Sequence, residues 1–170
     1  LLSCDNLRHN GDRLRSGLDQ FLALAGETET RDWLAEHASI PNAMVDRITP
    51  RPDDEVRARV RSATGNDDPA AVMSETFRQW VIEDRFVNGR PPWERVGVEM
   101  VASVAPYEDA KIRLLNASHS AIAWAGLLSG TQCIHEGARD PRIRALVHAY
   151  ATDAVIPCLQ PSPLDLPAYR

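Results

Sequence analysis

The sequence lacks several features, and each absence excludes a class of protein. Its 19 basic residues are outnumbered by 24 acidic ones, and the formal net charge of -5 argues against a nucleic-acid partner, because nucleic-acid surfaces carry a basic stripe. No apolar run approaches the ~20 residues that cross a bilayer, and no charged segment followed by an apolar stretch indicates a signal peptide. We therefore expect no membrane association and a cytoplasmic location.

Cysteine and metal ligands are also sparse. Cys4, Cys133 and Cys158 are widely spaced and form no CxxC pair, so we expect reduced, partly buried thiols rather than a disulfide framework. The histidines are scattered, and His135-Glu136 has no second ligand at metal spacing. The sequence therefore predicts no metal site.

Hydrophobic periodicity predicts an α+β fold that is mainly α-helical. The predicted helices run from Asp12 to Ala25, around Trp33 and Leu34, from Asp53 to Val60, from Tyr107 to about Leu128 and from Arg142 to Val155. The predicted strands are the end of a buried strand at Leu1 to Cys4, then Ala43 to Ile48, and strand-like segments from Phe77 to Phe86 and from Val96 to Val104. With 170 residues, the chain is long enough for one domain with a real core.

The longest predicted helix carries the single lysine of the chain. Of the 19 basic residues, 18 are arginine and one is Lys111. On an ideal helix of ~100° per residue, Glu108, Lys111, Asn116 and His119 fall within an arc of roughly 140°. Ile112 shares that arc, so the polar groups would emerge from an otherwise apolar face.

A lysine, an amide and an imidazole on an apolar face can form an alcohol-oxidising site. Desolvation lowers the pKa of an amine, and a neutral amine can remove the proton of a hydroxyl, which an arginine cannot do. Asn116 and His119 could then donate hydrogen bonds to the developing alkoxide. The alternative from spacing and composition alone is a chance lysine on a solvated helix face.

Four motifs in order along the chain resemble the polyol-specific long-chain dehydrogenase family, which is typified by mannitol 2-dehydrogenase. The motifs are Ser3-Cys4-Asp5-Asn6-Leu7 with His9-Asn10-Gly11, then Met44 to Pro50, then Glu75 to Phe86 with Gly89-Arg90-Pro91, and finally Lys111-x4-Asn116-x2-His119. The match covers essentially all 170 residues. Details around Ile122 to Gly126 and Ile156 to Leu159 are closer to the arabinitol branch of this family than to its mannitol enzymes.

The resemblance implies a role for each residue of the last motif. Lys111 resembles the catalytic base, and Asn116 and His119 resemble the groups that polarise the reacting oxygen and orient the substrate. Glu108 resembles a carboxylate at the substrate site that assists proton exchange with solvent.

Two residues of the earlier motifs also receive roles from the resemblance. Asn6 and Asp46 match positions that line the substrate or nicotinamide pocket. The nearby Asn10 is a competing assignment for Asn6.

The resemblance further implies a fragment of a two-domain dehydrogenase. Residues 1–40 would end the Rossmann-like nucleotide-binding domain and its linker, and residues 41–170 would form part of the substrate-binding, catalytic C-terminal domain. A glycine-rich βα unit should precede residue 1, and more helices should follow Arg170. Nothing in the chain matches GxGxxG, so NAD would be bound mainly by the absent domain.

The expected activity is metal-independent, NAD-dependent oxidation of a secondary alcohol of an open-chain polyol to a ketose. A fructuronate- or tagaturonate-type reductase of the same family is an alternative. A truncated, non-catalytic helical module is an alternative of a different class.

Overall fold

A small mixed sheet organises the first part of the chain. The computed structural model describes residues 1–169 and divides into two units, Leu1–Val101 and Ala102–Arg170. The first unit contains α1 (Asn10–Ala25), α2 (Thr28–His37), β1 (Ala43–Asp46), α3 (Asp54–Thr64), β2 (Gln79–Glu83), a 3₁₀ turn (Trp93–Val96) and β3 (Glu99–Val101).

The sheet has the strand order β1-β2-β3 and is buried along its middle strand. β2 runs antiparallel to β1, with Met44 opposite Val81, and parallel to β3. Val81 and Ile82 point to opposite faces of β2, and both are fully buried. Because both faces of β2 are covered, the alternation of polar and apolar residues that marks a half-exposed strand is weak in this segment.

The sheet also explains where the first unit ends. The compact units divide between Val101 and Ala102, and the domain boundary after residue 40 stays a prediction. β1 begins at Ala43 and hydrogen-bonds to β2, which in turn pairs with β3. These ladders bind residues 43–101 into the first unit.

Helix ends in this unit follow the local chemistry of the sequence. α1 ends where Gly26 adopts a left-handed conformation with φ 74°, and its N–H bonds back to the carbonyls of the last turn. α3 begins after Asp53, whose carboxylate accepts a hydrogen bond of 3.0 Å from the N–H of Val56. The predicted helices at Asp12 to Ala25 and Asp53 to Val60 are confirmed, with α3 continuing to Thr64.

Two details of the sequence analysis were wrong, one in this unit and one that concerns the cysteines of both units. Leu1 to Cys4 forms no strand, because its contacts are isolated bonds rather than a ladder: the amino group of Leu1 bonds to the Ser39 carbonyl at 2.9 Å. The cysteines are free thiols as expected, but all three are exposed rather than partly buried. All three cysteines lie in loops or at helix ends, and such segments are usually at the protein surface.

The N-terminal end of α1 packs directly on the chain before β1. A Cβ added to Gly11 would lie 2.4 Å from the backbone oxygen of Pro41, whereas a Cβ on Gly17 in the same helix would meet nothing within 4 Å. Only glycine therefore permits this approach at position 11.

We expect Gly11→Ala and Gly17→Ala to change stability in opposite directions. Gly11→Ala should lower the free energy of unfolding by about 2–3 kcal/mol or more, because backbone cannot yield to the methyl group. Gly17→Ala should raise it by about 0.5–1 kcal/mol through helix propensity. Thermal and urea unfolding of the two variants measures both effects. Equal stability of the two variants would contradict the docking of α1 on Pro41.

The second unit is built from helices, two of which contain π-helical segments. It comprises α4 (Ala105–Ala110), α5 (Ala117–Leu128), α6 (Ile134–Arg139), α7 (Pro141–Ala149), α8 (Ile156–Cys158) and α9 (Leu166–Tyr169). A π-helical segment, Lys111–Asn116, joins α4 to α5, and a second one, Tyr150–Val155, joins α7 to α8. The predicted helices Tyr107 to Leu128 and Arg142 to Val155 are confirmed as continuous helical stretches, and the predicted mainly helical α+β class is confirmed.

The core of this unit lies where the two π-helical segments meet. Ala110 and Leu114 from the first helical stretch pack with Ala151 and Val155 from the second, and Leu166 of α9 completes the cluster. In the described part of the chain, no helix is both long and apolar enough to cross a membrane.

The start of α7 is fixed by its N-cap. The carboxylate of Asp140 accepts hydrogen bonds from the side chain and the backbone N–H of Arg142, both at 2.8 Å. These bonds lower the pKa of Asp140 to about 2. Pro141 at the first helical position strengthens the same boundary.

Candidate active site

The first π-helical segment begins at Lys111 and ends at Asn116. Its hydrogen bonding is displaced by one residue, since the N–H of Ala117 donates to the carbonyl of Ile112, five residues back. In an α-helix, residues five apart point about 140° away from each other, whereas in a π-helix they lie almost one above the other. The π-helical segment therefore places Lys111 and Asn116 on one face.

The other two predicted residues extend this face by one turn in each direction. Glu108 lies three residues before Lys111 in α4, and His119 lies three residues after Asn116 in α5. Residues three apart on a helix are neighbours on its surface. Glu108, Lys111, Asn116 and His119, here called the band, thus follow one another at helical spacings along one continuous helical stretch, Ala105–Leu128.

Burial divides this band into an inner and an outer half. Lys111 is 5% exposed and Glu108 is 3% exposed, whereas Asn116 and His119 are exposed. Lys111 sits between the core residues Ala110 and Leu114 in sequence, where the helix faces the apolar cluster. An amine and a carboxylate in the low-dielectric interior can exchange protons, while the outer amide and imidazole can bind a ligand.

The π-helical segment is supported by residues that the sequence analysis did not single out. Leu114 is buried against Ala151 and Val155 of the second π-helical segment. The hydroxyl of Tyr150 donates a long hydrogen bond of 3.4 Å to the carbonyl of Arg113, and the hydroxyl of Ser120 donates one of 3.1 Å to the carbonyl of Asn116. The only sequence signal for this arrangement is the five-residue spacing from Lys111 to Asn116.

Asn6 and Asp46 belong to the first unit. Asn6 is exposed in the loop that precedes α1, and Asp46 is half-buried as the last residue of β1, opposite Gln79. Asp46 shares its face of the sheet with the buried Met44.

Burial and hydrogen bonding distinguish Asn10 from Asn6. Asn10 is 2% exposed, its side-chain oxygen accepts the N–H of Ala43 at 2.9 Å, and its amide group donates to the carbonyls of Asp5 and Ser3 at 2.9 and 3.2 Å. Since these backbone groups occupy the Asn10 side chain, Asn6 is the remaining candidate for contact with a ligand.

A second buried polar group beside Asn10 was also missed from the sequence. The side-chain oxygen of Asn42 accepts the N–H of Asp12 at 2.9 Å, and its amide group donates to the Asp12 carboxylate at 3.0 Å. Glu83 accepts the Asn42 N–H at 3.2 Å and a hydrogen bond from Arg85 at 2.7 Å. These bonds hold the start of α1 against β1 and β2.

The described residues supply neither a metal site nor a phosphate cradle. Among residues 1–169, no three His, Cys, Asp or Glu side chains are grouped so that they could hold a metal ion. Gly26, Gly65 and Gly97 have positive φ angles, but each follows the C-terminal end of a helix or 3₁₀ turn. A dinucleotide phosphate cradle instead precedes a helix and uses its N-terminus. None of these three glycines therefore lies where a dinucleotide phosphate cradle would require it.

Comparison with known proteins identifies the family. A family model described as "Mannitol dehydrogenase Rossmann domain" matches residues 1–95, and one described as "Mannitol dehydrogenase C-terminal domain" matches residues 103–170. The chain therefore belongs to the mannitol dehydrogenase family, which confirms the predicted family. The interval between the two matches contains the division between the compact units.

Individual relatives act on polyols according to their names. The chain is 61% identical to a D-arabinitol 4-dehydrogenase of Ralstonia nicotianae and 55% identical to one of Klebsiella pneumoniae, in each case over 100% of this chain and 37% of the relative. A structure of Pseudomonas fluorescens mannitol 2-dehydrogenase in a ternary complex with NAD and D-mannitol is 48% identical, with a TM-score of 0.81, and the match covers 99% of this chain and 34% of that one. The chain thus spans 37% of the length of these curated relatives.

Proposed function

We propose that the chain is part of an NAD-dependent polyol dehydrogenase, hereafter the parent enzyme, which oxidises a secondary alcohol of an open-chain polyol to a ketose. The observation that carries this proposal is the burial of the single lysine, Lys111, on the same helix face as the exposed Asn116 and His119. The names of the relatives, two of which are arabinitol dehydrogenases, support a pentitol as the substrate.

Each residue of the band has a role in this reaction. The amine of Lys111 removes the hydroxyl proton, while the amide of Asn116 and a ring nitrogen of His119 donate hydrogen bonds to the developing alkoxide. Glu108, buried one turn away, passes the proton from Lys111 toward solvent. NAD, when bound, would supply the hydride acceptor, and it would be held mainly by parts of the parent enzyme outside this chain.

Asn6 and Asp46 of the first unit take part in binding the polyol or the nicotinamide. An exposed amide and a half-buried carboxylate offer the donors and acceptors that polyol hydroxyls require. Residues 103–170 contribute part of the substrate-binding C-terminal domain, and the enzyme acts in the cytoplasm.

A substrate panel assayed with the full-length parent enzyme tests the proposed activity. We expect NAD reduction with D-arabinitol and slower reduction with D-mannitol. Activity confined to the reduction of fructuronate or tagaturonate would favour the uronate branch of the family. A parent that neither oxidises polyols nor reduces uronates would instead fit a non-catalytic module.

The 170-residue chain by itself should bind NAD no more tightly than in the millimolar range. The reason is the absence of a phosphate cradle among its residues, since backbone N–H groups at a helix N-terminus provide much of the binding to pyrophosphate. Isothermal titration calorimetry of the chain, with the full-length parent as the positive control, measures this directly. Micromolar binding by the chain alone would place the cofactor site within it.

A further inference from the structure

The side chain of Asn10 connects two segments that are distant in sequence. Its amide group donates to the carbonyl of Asp5, which is the carbonyl of the peptide bond to Asn6, and to the carbonyl of Ser3. Its oxygen accepts the N–H of Ala43, the first residue of β1. One buried side chain therefore joins the loop that carries Asn6 to the strand that ends at Asp46.

The backbone before Asn10 is arranged so that this connection can form. His9 has φ 52° and ψ 46°, a left-handed conformation that a residue other than glycine seldom adopts. This conformation turns the chain from the loop into α1, so that Asn10 in the first turn faces back toward Ser3 and Asp5. Local strain of this kind persists only where the surrounding structure maintains it.

We infer that Asn10 is a positioning residue, which holds the peptide of Asn6 at a fixed place relative to β1 and Asp46. The inference rests on the proposed roles of Asn6 and Asp46 in ligand binding. Asn10 itself touches no ligand in this account, because its polar atoms bond to backbone groups.

Only an amide satisfies all three backbone groups. It presents two N–H donors to the carbonyls of Ser3 and Asp5 and one acceptor to the N–H of Ala43. An aspartate in its place would keep the acceptor but would turn a second oxygen toward the two carbonyls. An alanine would leave all three backbone groups without the partner that they have now, and unpaired buried polar groups are costly.

The chain contains a matched control for Asn10. Asn42 is also a buried asparagine and also ties α1 to β1, but its side chain does so through Asp12 rather than through the loop of Asn6. Asn42→Ala should therefore destabilise the same junction without releasing the loop. Gly11 packed on Pro41 keeps α1 close to β1 in both variants.

Cys4 reports on the loop without any reference to catalysis. Its exposed thiol lies between Ser3 and Asp5, whose carbonyls Asn10 holds, and desolvation by the surrounding chain raises the pKa of this thiol. Release of the loop would reduce this desolvation and increase the fraction present as the reactive thiolate at a fixed pH. Peptide-resolved mass spectrometry after brief alkylation gives the labelling rate of Cys4 alone.

The experiment compares Asn10→Ala, Asn10→Ser and Asn42→Ala in the full-length parent enzyme. We expect Asn10→Ala to speed Cys4 labelling by at least about fivefold and to raise the polyol KM by a similar factor or more, with a smaller change in kcat. Asn10→Ser should give intermediate values, since its hydroxyl can keep one of the bonds. Asn42→Ala should lower Tm while leaving the labelling rate and KM close to wild type.

Two results would overturn the positioning role. In one, a folded Asn10→Ala or Asn10→Ser enzyme labels Cys4 at the wild-type rate. In the other, Asn42→Ala changes labelling and KM as much as Asn10→Ala does, which would make both residues merely structural. If the wild-type parent oxidises no polyol, the proposed function fails, and the labelling rates still decide whether Asn10 holds the loop.

Discussion

Lys111→Ala in the full-length parent enzyme is expected to lower kcat for polyol oxidation by about 10²- to 10⁴-fold, the usual contribution of a general base. Expressed as transition-state stabilisation, this is about 2.7–5.5 kcal/mol. NAD affinity should stay nearly unchanged, because in the proposed enzyme the phosphate cradle lies outside this chain. Steady-state kinetics and a separate NAD titration measure the two quantities.

Lys111→Arg tests whether the side chain at this position acts by accepting a proton or only through its positive charge. Arginine keeps the positive charge but does not release its proton, so the variant should be about as inactive in oxidation as Lys111→Ala. Near-normal oxidation by Lys111→Arg would make Lys111 a binding residue and direct the search for a base to His119 or Glu108.

Deleting Arg113 from the first π-helical segment should be tolerated, although the deletion falls between Lys111 and Asn116. A π-helical segment holds one residue more than the α-helix that joins the same two ends, so the deletion should produce an ordinary α-helix. Lys111 and Asn116 would then be four residues apart and would still share a face. Arg113 itself is exposed, and we expect kcat within about tenfold of wild type.

Deleting Ser118, only five residues further along, should abolish activity. This deletion lies in α5 between Asn116 and His119, and it would rotate His119 and the rest of α5 by about 100° relative to Lys111. Gly126 of α5 packs closely on Gly137 of α6, and the rotation would bring a larger side chain into that contact.

We expect a loss of at least about 10²-fold in kcat/KM and a clear fall in Tm for the Ser118 deletion. Circular dichroism melting and kinetics of the two deletion variants provide the comparison. Equal damage from both deletions would show that the π-helical segment does not accommodate the extra residue.

The sequence predicted the helices and the residues of the band but not their exact geometry. Periodicity identified the helix from Tyr107 to Leu128, and the single lysine drew attention to Lys111. The arc of roughly 140° assumed α-helical hydrogen bonding throughout. The switch to π-helical bonding accompanies packing on Ala151 and a bond from Tyr150, which is 37 residues from Arg113. A local periodicity cannot contain that information.

The sequence also could not show which of two asparagines in one motif is buried and which is exposed. Asn6 and Asn10 are both amides in the same loop motif, and only the structure reveals that Asn10 is buried against the backbone of β1. The extent of the first compact unit, Leu1–Val101, could not be predicted either. Strand pairing over some 40 residues joins Ala43 to Ile82, and no feature of the residues near position 40 indicates this pairing.

Chemical rescue of Lys111→Ala is the most direct test of the central claim that Lys111 acts through a removable proton. Small primary amines can enter the space left by the side chain and accept the hydroxyl proton, whereas guanidinium offers a similar charge without an easily removed proton. We predict that added methylamine or ethylamine restores part of the oxidation rate, in proportion to the free-base concentration, and that guanidinium does not. Equal rescue by guanidinium, or no rescue by any amine in a variant that still binds NAD and polyol, would contradict the claim.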